Sequence, residues 1–236
     1  MRFLMLVRVD GSVRLSAEEA AAMGPATDGW VEEMVRRGIR LEGNELAGSG
    51  DATTVRRRGD EVLVTDGPFA ETKEQIAGYD VVECSSLDEA IEAAARHPVA
   101  AIGALEVRAI AGEPAGWRSA GRGRYLFLHA FEPDELREAR SSSEVDTSLS
   151  GWLERVIAGG QNLHGGILSG TGAVVRRRGD EVLVTDGPFA ETKEQVAGYD
   201  VMDCADLDEA IELAAAHPST YAGGSIEIRP FAVAEP

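Results

Sequence analysis

Eleven residues, TDGPFAETKEQ, stand twice in this chain, at 65–75 and again at 185–195, and each copy sets a carboxylate beside turn-forming residues. Glycine tolerates positive φ and proline fixes its own φ near about −65°, so Asp-Gly-Pro turns the chain sharply out of a strand and presents Asp66 or Asp186 at a sheet edge. An aspartate so placed works as a general base if burial or a neighbouring charge raises its pKa toward neutrality. Glu71 and Glu74 add a second pair of carboxylates, which share a face if that piece is a helical turn. Phe69 is expected to plug the space beneath. The same residues also fit a capped loop whose Asp accepts backbone N–H bonds and whose Glu and Lys are solvated, and both readings stand at this point.

The chain has four histidines. His97 and His217 precede Pro98 and Pro218 at the ends of helical segments, where an imidazolium suits the helix dipole and proline stops the helix. His129 and His164 differ, because Val7 and Glu42 occupy the corresponding places in the first half, so a His–Asp pair built on them exists only in the second half. Strand alternation puts His129 on the face of Phe127 and Phe131; if Asp186 approaches it, the carboxylate could orient the ring as a general base. A hydrogen-bonded core histidine is the alternative. The candidate catalytic residues are thus Asp66, Asp186 and His129. Phosphate loops, dinucleotide fingerprints and clustered metal ligands are absent from the sequence, so no cofactor and no metal are expected. Cys84 and Cys204 are far apart and read as small buried apolar residues, and Trp30 and Trp152 as matching core anchors or the aromatic wall of a cleft.

The elements that must position these residues come from a duplication. RRRGDEVLVTDGPFAETKEQ at 56–75 recurs unchanged at 176–195, and AGYDV at 77–81 recurs at 197–201. The small-residue stretch GEPAGWRSAGRG, residues 112–123, lies between the copies, giving one unit at 1–112, a linker at 113–122 and a second unit at 123–236. Each copy reads as β-α-β, a two-residue Gly-Asp hairpin, then β-α-β, an α+β pattern with both helices on one face of an antiparallel sheet. Ser86 with Glu89, and Asp206 with Glu209, predict capping boxes at the second helices. Gly24 and Pro25 predict a kink or a restart in the first. The first strand is apolar on both sides, Phe3, Met5 and Val7 alternating with Leu4 and Leu6, as is 125–131 in the second copy. One helical layer cannot cover both faces. At about 25 cal/mol per Å² a bare apolar sheet forgoes several kcal/mol, so the two sheets are expected to pack face to face, a homodimer written into one chain.

Charge narrows the partners. A formal net charge of −18, shared by both halves, repels phosphate backbones and anionic lipid, so neither nucleic acid nor membrane is an expected partner. The Arg56–Arg58 and Arg176–Arg178 runs read as solvated strand ends, split between two faces by alternation. No apolar run reaches the ~20 residues of a membrane span and no signal peptide is evident, so the expected location is the cytoplasm.

TDGPFAETKEQ followed by AGYDV, an Asp-Glu-Ala-Ile helix ending in His-Pro, and a last strand with Glu-Val-Arg or Glu-Ile-Arg closely resembles the YCII-related (DGPF) domain family, over nearly all of both halves. The resemblance implies a ferredoxin-like fold that pairs as a dimeric α/β barrel, here within one chain. It also implies that a His and Asp pair serves lyase or dehydrochlorinase chemistry in some members, and that relatives are often encoded near extracytoplasmic-function sigma factors. The first functional expectation is a small-molecule pocket between sheet and DGPF loop serving a lyase- or isomerase-type proton transfer. The alternative is a non-catalytic binding or regulatory module acting through a protein partner, linked to sigma-factor-dependent transcription.

Overall fold

The computed structural model describes residues 1–70, 72–115, 125–189 and 193–232. In chain order the elements are β1 (Arg2–Asp10), α1 (Ala17–Arg36), β2 (Arg40–Glu45), β3 (Thr53–Arg58), β4 (Glu61–Asp66), β5 (Glu74–Glu83), α2 (Leu87–Arg96), β6 (Gly103–Ala115), β7 (Tyr125–Phe131), α3 (Pro133–Ser141), α4 (Ser143–Ala158), β8 (Asn162–Arg178), β9 (Glu181–Asp186), β10 (Gln195–Met202), α5 (Leu207–Ala215), α6 (Pro218–Tyr221) and β11 (Ser225–Pro230), with 3-10 turns at Ser49–Asp51 and Pro98–Ala101. The mixed α+β composition is the expected one.

Two compact units are present, and they do not follow the two sequence copies. Unit 1 takes residues 1–46, 72–110 and 169–190; unit 2 takes 47–71, 111–168 and 191–236. Each therefore holds the body of one copy and the hairpin of the other. In unit 1 the antiparallel order β2-β5-β1-β6 continues into the later part of β8 and then β9. In unit 2 the early part of β8 starts the order β8-β10-β7-β11-β3-β4. The predicted turn joins β3 to β4, with Gly59 at φ 62°, the positive value the first central position of a tight hairpin accepts.

Ion pairs fasten each hairpin to its unit, and they correct the reading of the arginine runs as solvated. Arg56 holds Glu194 through two short N–H···O bonds of 2.6 and 2.7 Å in unit 2, and Arg176 holds Glu74 through bonds of 2.6 and 2.8 Å in unit 1. Alternation does split the triplet as expected, for Arg57 turns elsewhere, over the Tyr221 ring at 4.2 Å. Deeper in unit 1, Arg8, Glu106 and Arg108 form a buried ionic row. Arg8 also stacks on Phe189 at 4.3 Å, and that ring packs with Ala104 and Val174; Phe69 of the first loop is half-buried in unit 2.

The helices cover one face of each sheet. In unit 1, Trp30, Met34 and the alanines of α2 pack on Phe3, Met5 and Val7, while Leu4 and Leu6 on the opposite face are equally buried. In unit 2, Trp152, Val156 and Ala214 pack on Phe127, with Leu126 and Leu128 likewise buried on the other face. Both tryptophans anchor by hydrogen bond as well, their indole N–H donating to the Ala93 and Leu213 carbonyls. Both cysteines are buried, which pushes the thiols up to about 11 for Cys84 and about 12 for Cys204.

Three local expectations are revised. Helix α1 runs through Pro25 without a break, started by a capping box in which Ser16 and Glu19 serve each other's backbone N–H. The break comes instead in the second copy: Ser142 ends α3 and caps α4, its hydroxyl accepting the Val145 N–H. At α2 and α5 the caps Ser86 and Asp206 accept the N–H of Glu89 and Glu209 as expected, but the returning carboxylates bond one residue earlier, at Ser85 and Ala205.

Candidate functional site

The DGPF turns keep their backbone form but not their expected chemistry. The Gly67 and Gly187 N–H groups donate to the Ala52 and Gly172 carbonyls, which ends β4 and β9 at Asp66 and Asp186 as predicted, and both aspartates are exposed at those ends. Among the described residues nothing there supplies the burial a general base needs. Glu71 lies outside the described residues. Glu74 belongs to strand β5 rather than a helical turn, and is committed to Arg176. Lys73 is not free either; its ammonium lies 3.1 Å from Asp10.

Unit 2 holds the cluster that does have buried titratable groups. His129 on β7 is buried, and its Nε2 lies 2.9 Å from Oδ2 of Asp200 on β10; Asp200, not Asp186, is the carboxylate that meets it. The oxygen sits off the line of the ring's N–H, so Nε2 has no hydrogen bond among the described residues. Asn162 on β8 donates to the other oxygen, Oδ1, at 2.7 Å. Gly165 makes room for this carboxylate, since a Cβ there would run into Asp200 Oδ1. A bulge in β10 between Val196 and Gly198, opposite His129 and Ala130, sets the local register, and bulges commonly re-aim side chains at sites. Gly198 leaves the His129 ring uncovered, because a Cβ there would lie 2.8 Å from Nδ1.

His217 completes the group, and not as a helix-end imidazolium. Its Nδ1 accepts the Ser219 N–H at 3.1 Å, capping α6, which places the neutral ring's proton on Nε2. His97 does the same for the turn after α2, accepting the Val99 N–H. Burial holds both rings well below the usual histidine range, helped by the His129 ring for His217 and by Arg40 for His97, which falls to about 4. His217 Nε2 is 3.8 Å from Asp200 Oδ2, too long for a hydrogen bond, and its ring stands 4.3 Å from that of His129. His164, the other second-copy histidine, is buried with Nδ1 3.4 Å from the Tyr199 hydroxyl.

His129, Asp200 and His217 put three ligand-type atoms within 4.8 Å of one another, the spacing a metal ion would use. The cap argues against that use. A nitrogen that carries the ring proton has no lone pair for an ion, so His217 would have to give up the Ser219 bond before it could coordinate. What the arrangement does provide is an imidazole backed by a carboxylate.

These side chains line a cavity of about 220 Å³, walled on the sheet side by β7, β8 and β10 and on the other by α3, α4 and α6. Leu136, Val145, Leu149, Leu153 and Ile167 make it largely apolar, and the helix break at Ser142 lies between its two helical walls. The pocket thus sits under the first helical pair of unit 2, where a pocket beside the DGPF loop was expected. Of the sequence candidates only His129 is in it. Asp200 escaped notice although AGYDV was seen to repeat; the signal was an acidic residue inside a strand otherwise apolar on both faces. His217 and Asn162 carried no such signal.

The YCII-related domain model matches residues 1–113 and again 123–232. A protein of Rhizobium meliloti (strain 1021), described as uncharacterized protein R00369, is 50% identical over 68 residues, which is 27% of this chain and 52% of that protein. The chain thus spans about half the length of that curated relative. With both halves matched by one domain model and each strand order repeated in the two units, the chain belongs to the YCII-related domain family and carries its domain twice.

Proposed function

We propose that this protein is a proton-transfer enzyme of the lyase or isomerase type, acting on a small molecule in the unit 2 cavity. His129 takes and returns the proton; Asp200 offsets the charge the ring gains and favours its own side, Nε2, for the resident proton, leaving Nδ1 to act as base. Proton transfer between imidazole and substrate calls for no cofactor. The observation that carries this reading is the 2.9 Å approach of His129 Nε2 to Asp200 on the wall of an apolar cavity. The cavity's size suits a ligand smaller than a typical drug. The test is deuterium uptake in D2O by a panel of small carbon acids: ketones, lactones and nitroalkanes. Wild type is expected to exchange at least one of them roughly 10²–10⁴-fold faster than His129→Gln, with the variant's melting curve unchanged. Equal rates in the two proteins would sink the reading.

For the architecture we propose two domains, 1–112 and 123–236, joined at 113–122 and paired sheet to sheet as an intrachain α/β barrel. Leu4, Leu6, Leu126 and Leu128, all buried on the sheet faces away from the helices, support it. Residues 1–115 expressed alone should dimerise, since both a sheet cover and a hairpin are then missing; a stable monomer by light scattering would count against the pairing. A protein partner is the second reading, favoured by Val62, Val64, Val182 and Val184, which stand exposed on β4 and β9.

A further inference from the structure

We propose that His217 is the oxygen-binding group of this cavity and that the molecule bound there is a small apolar carbonyl compound. The argument starts from the cap. Because Nδ1 accepts the Ser219 N–H, the ring of His217 presents Nε2–H on its other side, toward His129 and Asp200. That donor is shut off from solvent and has no acceptor among the described residues; Asp200 Oδ2 is out of range at 3.8 Å. A buried donor left unmade is costly, whereas the same donor met by a ligand oxygen gains a bond that water does not compete for. The backbone of α6 holds the ring in place, so the donor is fixed before a ligand arrives. An acceptor is needed there, and the apolar walls exclude a heavily hydroxylated molecule. A carbonyl on a hydrocarbon body meets both conditions.

The inference rests on the reading of His129 as the base and gives it a substrate class. His129 Nδ1 takes the proton from the carbon next to the carbonyl. The C–H electron pair becomes the C=C bond of an enolate, and the carbonyl π pair moves to oxygen, where the His217 N–H bond strengthens. Delivery of a proton from His129, exchangeable with solvent while the enolate is held, to the other face of that carbon or to a conjugated carbon restores His129 and completes a racemisation or isomerisation; in the lyase outcome the enolate pair forms the new C=C bond, and the β-substituent leaves with its own bonding pair and takes the proton from His129. His217 stays neutral throughout, as its burial favours.

The test compares cyclohexanone with methylenecyclohexane, which has the same shape and no oxygen, by NMR titration of the full chain. Wild type should prefer the ketone about tenfold, the worth of one buried hydrogen bond. His217→Asn keeps an acceptor for the Ser219 N–H and removes the far donor, so it should bind both probes equally, at the wild-type affinity for the alkene. A preference that survives in the variant, or equal or absent binding of both probes by wild type, overturns the proposal. Should the variant unfold, the wild-type Nε2–H resonance decides: it must shift with the ketone and not with the alkene. Deuterium uptake into the ketone is read in parallel samples made up in D2O. Absence of uptake with the preference intact defeats the proton-transfer reading alone, and uptake without the preference defeats the carbonyl assignment alone.

Discussion

Asp80 and Asp200 hold the same place in the two copies, on β5 and β10, and are both buried, yet they keep different company. In unit 1 Arg40 donates to Asp80 at 2.6 Å and Val7 stands where unit 2 has His129. Burial pushes Asp80 up while Arg40 pulls against it. In unit 2 the arginine's place is taken by Asn162, a neutral amide that satisfies one oxygen, and the histidine faces the other. Beside them Asn44, whose amide reaches Tyr79 in unit 1, is replaced by Gly166 in the cavity wall. The covering helix is continuous in unit 1 and broken at Ser142 in unit 2. A buried carboxylate closed by a guanidinium is a structural tie; the same carboxylate with no guanidinium, beside an imidazole and a cavity, is available for chemistry. Duplication lets one chain keep both.

The largest way to break this comparison is to remove each charge in turn. Asp80→Asn strands the Arg40 guanidinium in a largely buried setting and should cost about 3–5 kcal/mol. Asp200→Asn loses one bond to a neutral amide, about 1 kcal/mol, while abolishing deuterium exchange. Urea unfolding of both variants checks it, and equal losses would mean the two sites are alike in kind.

Acid sharpens the comparison at the two capping histidines. The His97 ring binds its proton near pH 6.5 when unfolded and only near 4 when folded, so between those values the unfolded chain holds more protons and stability rises with pH. Acidifying from pH 7 to 5 should cost about 2 kcal/mol through His97 alone. His217, shifted the same way, adds a loss of the same sign. Denaturation at the two pH values, repeated on His97→Asn, should show a smaller acid loss in the variant; an unchanged loss would place the acid sensitivity elsewhere.

The smallest effect concerns the broken helix. Ser142→Ala removes the cap of α4 and should cost about 1 kcal/mol, read as a modest drop in melting temperature. If binding of cyclohexanone weakens as well, the break shapes the cavity; if only stability falls, it does not.

Local patterns made most of the architecture legible. Alternation announced β1 and β7, the Gly-Asp pairs announced the hairpins, Ser86 and Asp206 announced the second helices, and the repeat announced two equivalent halves, because each of these is set by neighbours within a few residues. Pro25 misled: its missing N–H falls on an exposed stretch of α1, and the capping box at Ser16 suffices to start the helix before it. The hairpin exchange was invisible, since identical hairpins carry no mark of which sheet they join, and the Arg56–Glu194 and Arg176–Glu74 pairs that accompany it span 138 and 102 residues between partners that are themselves identical in the two copies.

The candidate site divides in the same way. Sequence alone determined that His129 belongs to the second copy and has no counterpart at Val7, and that Asp200 repeats Asp80, because residue identity and offset are properties of the chain. Only the tertiary structure decided that His129 meets Asp200 rather than Asp186, that the ring nitrogens of His97 and His217 cap the turns that follow, and that Asn162 bonds to Asp200. The meeting of His129, Asp200 and Asn162 depends on which strands become neighbours and how a bulge turns one side chain, since a one-residue shift in the register of a strand puts its side chains on the other face of the sheet.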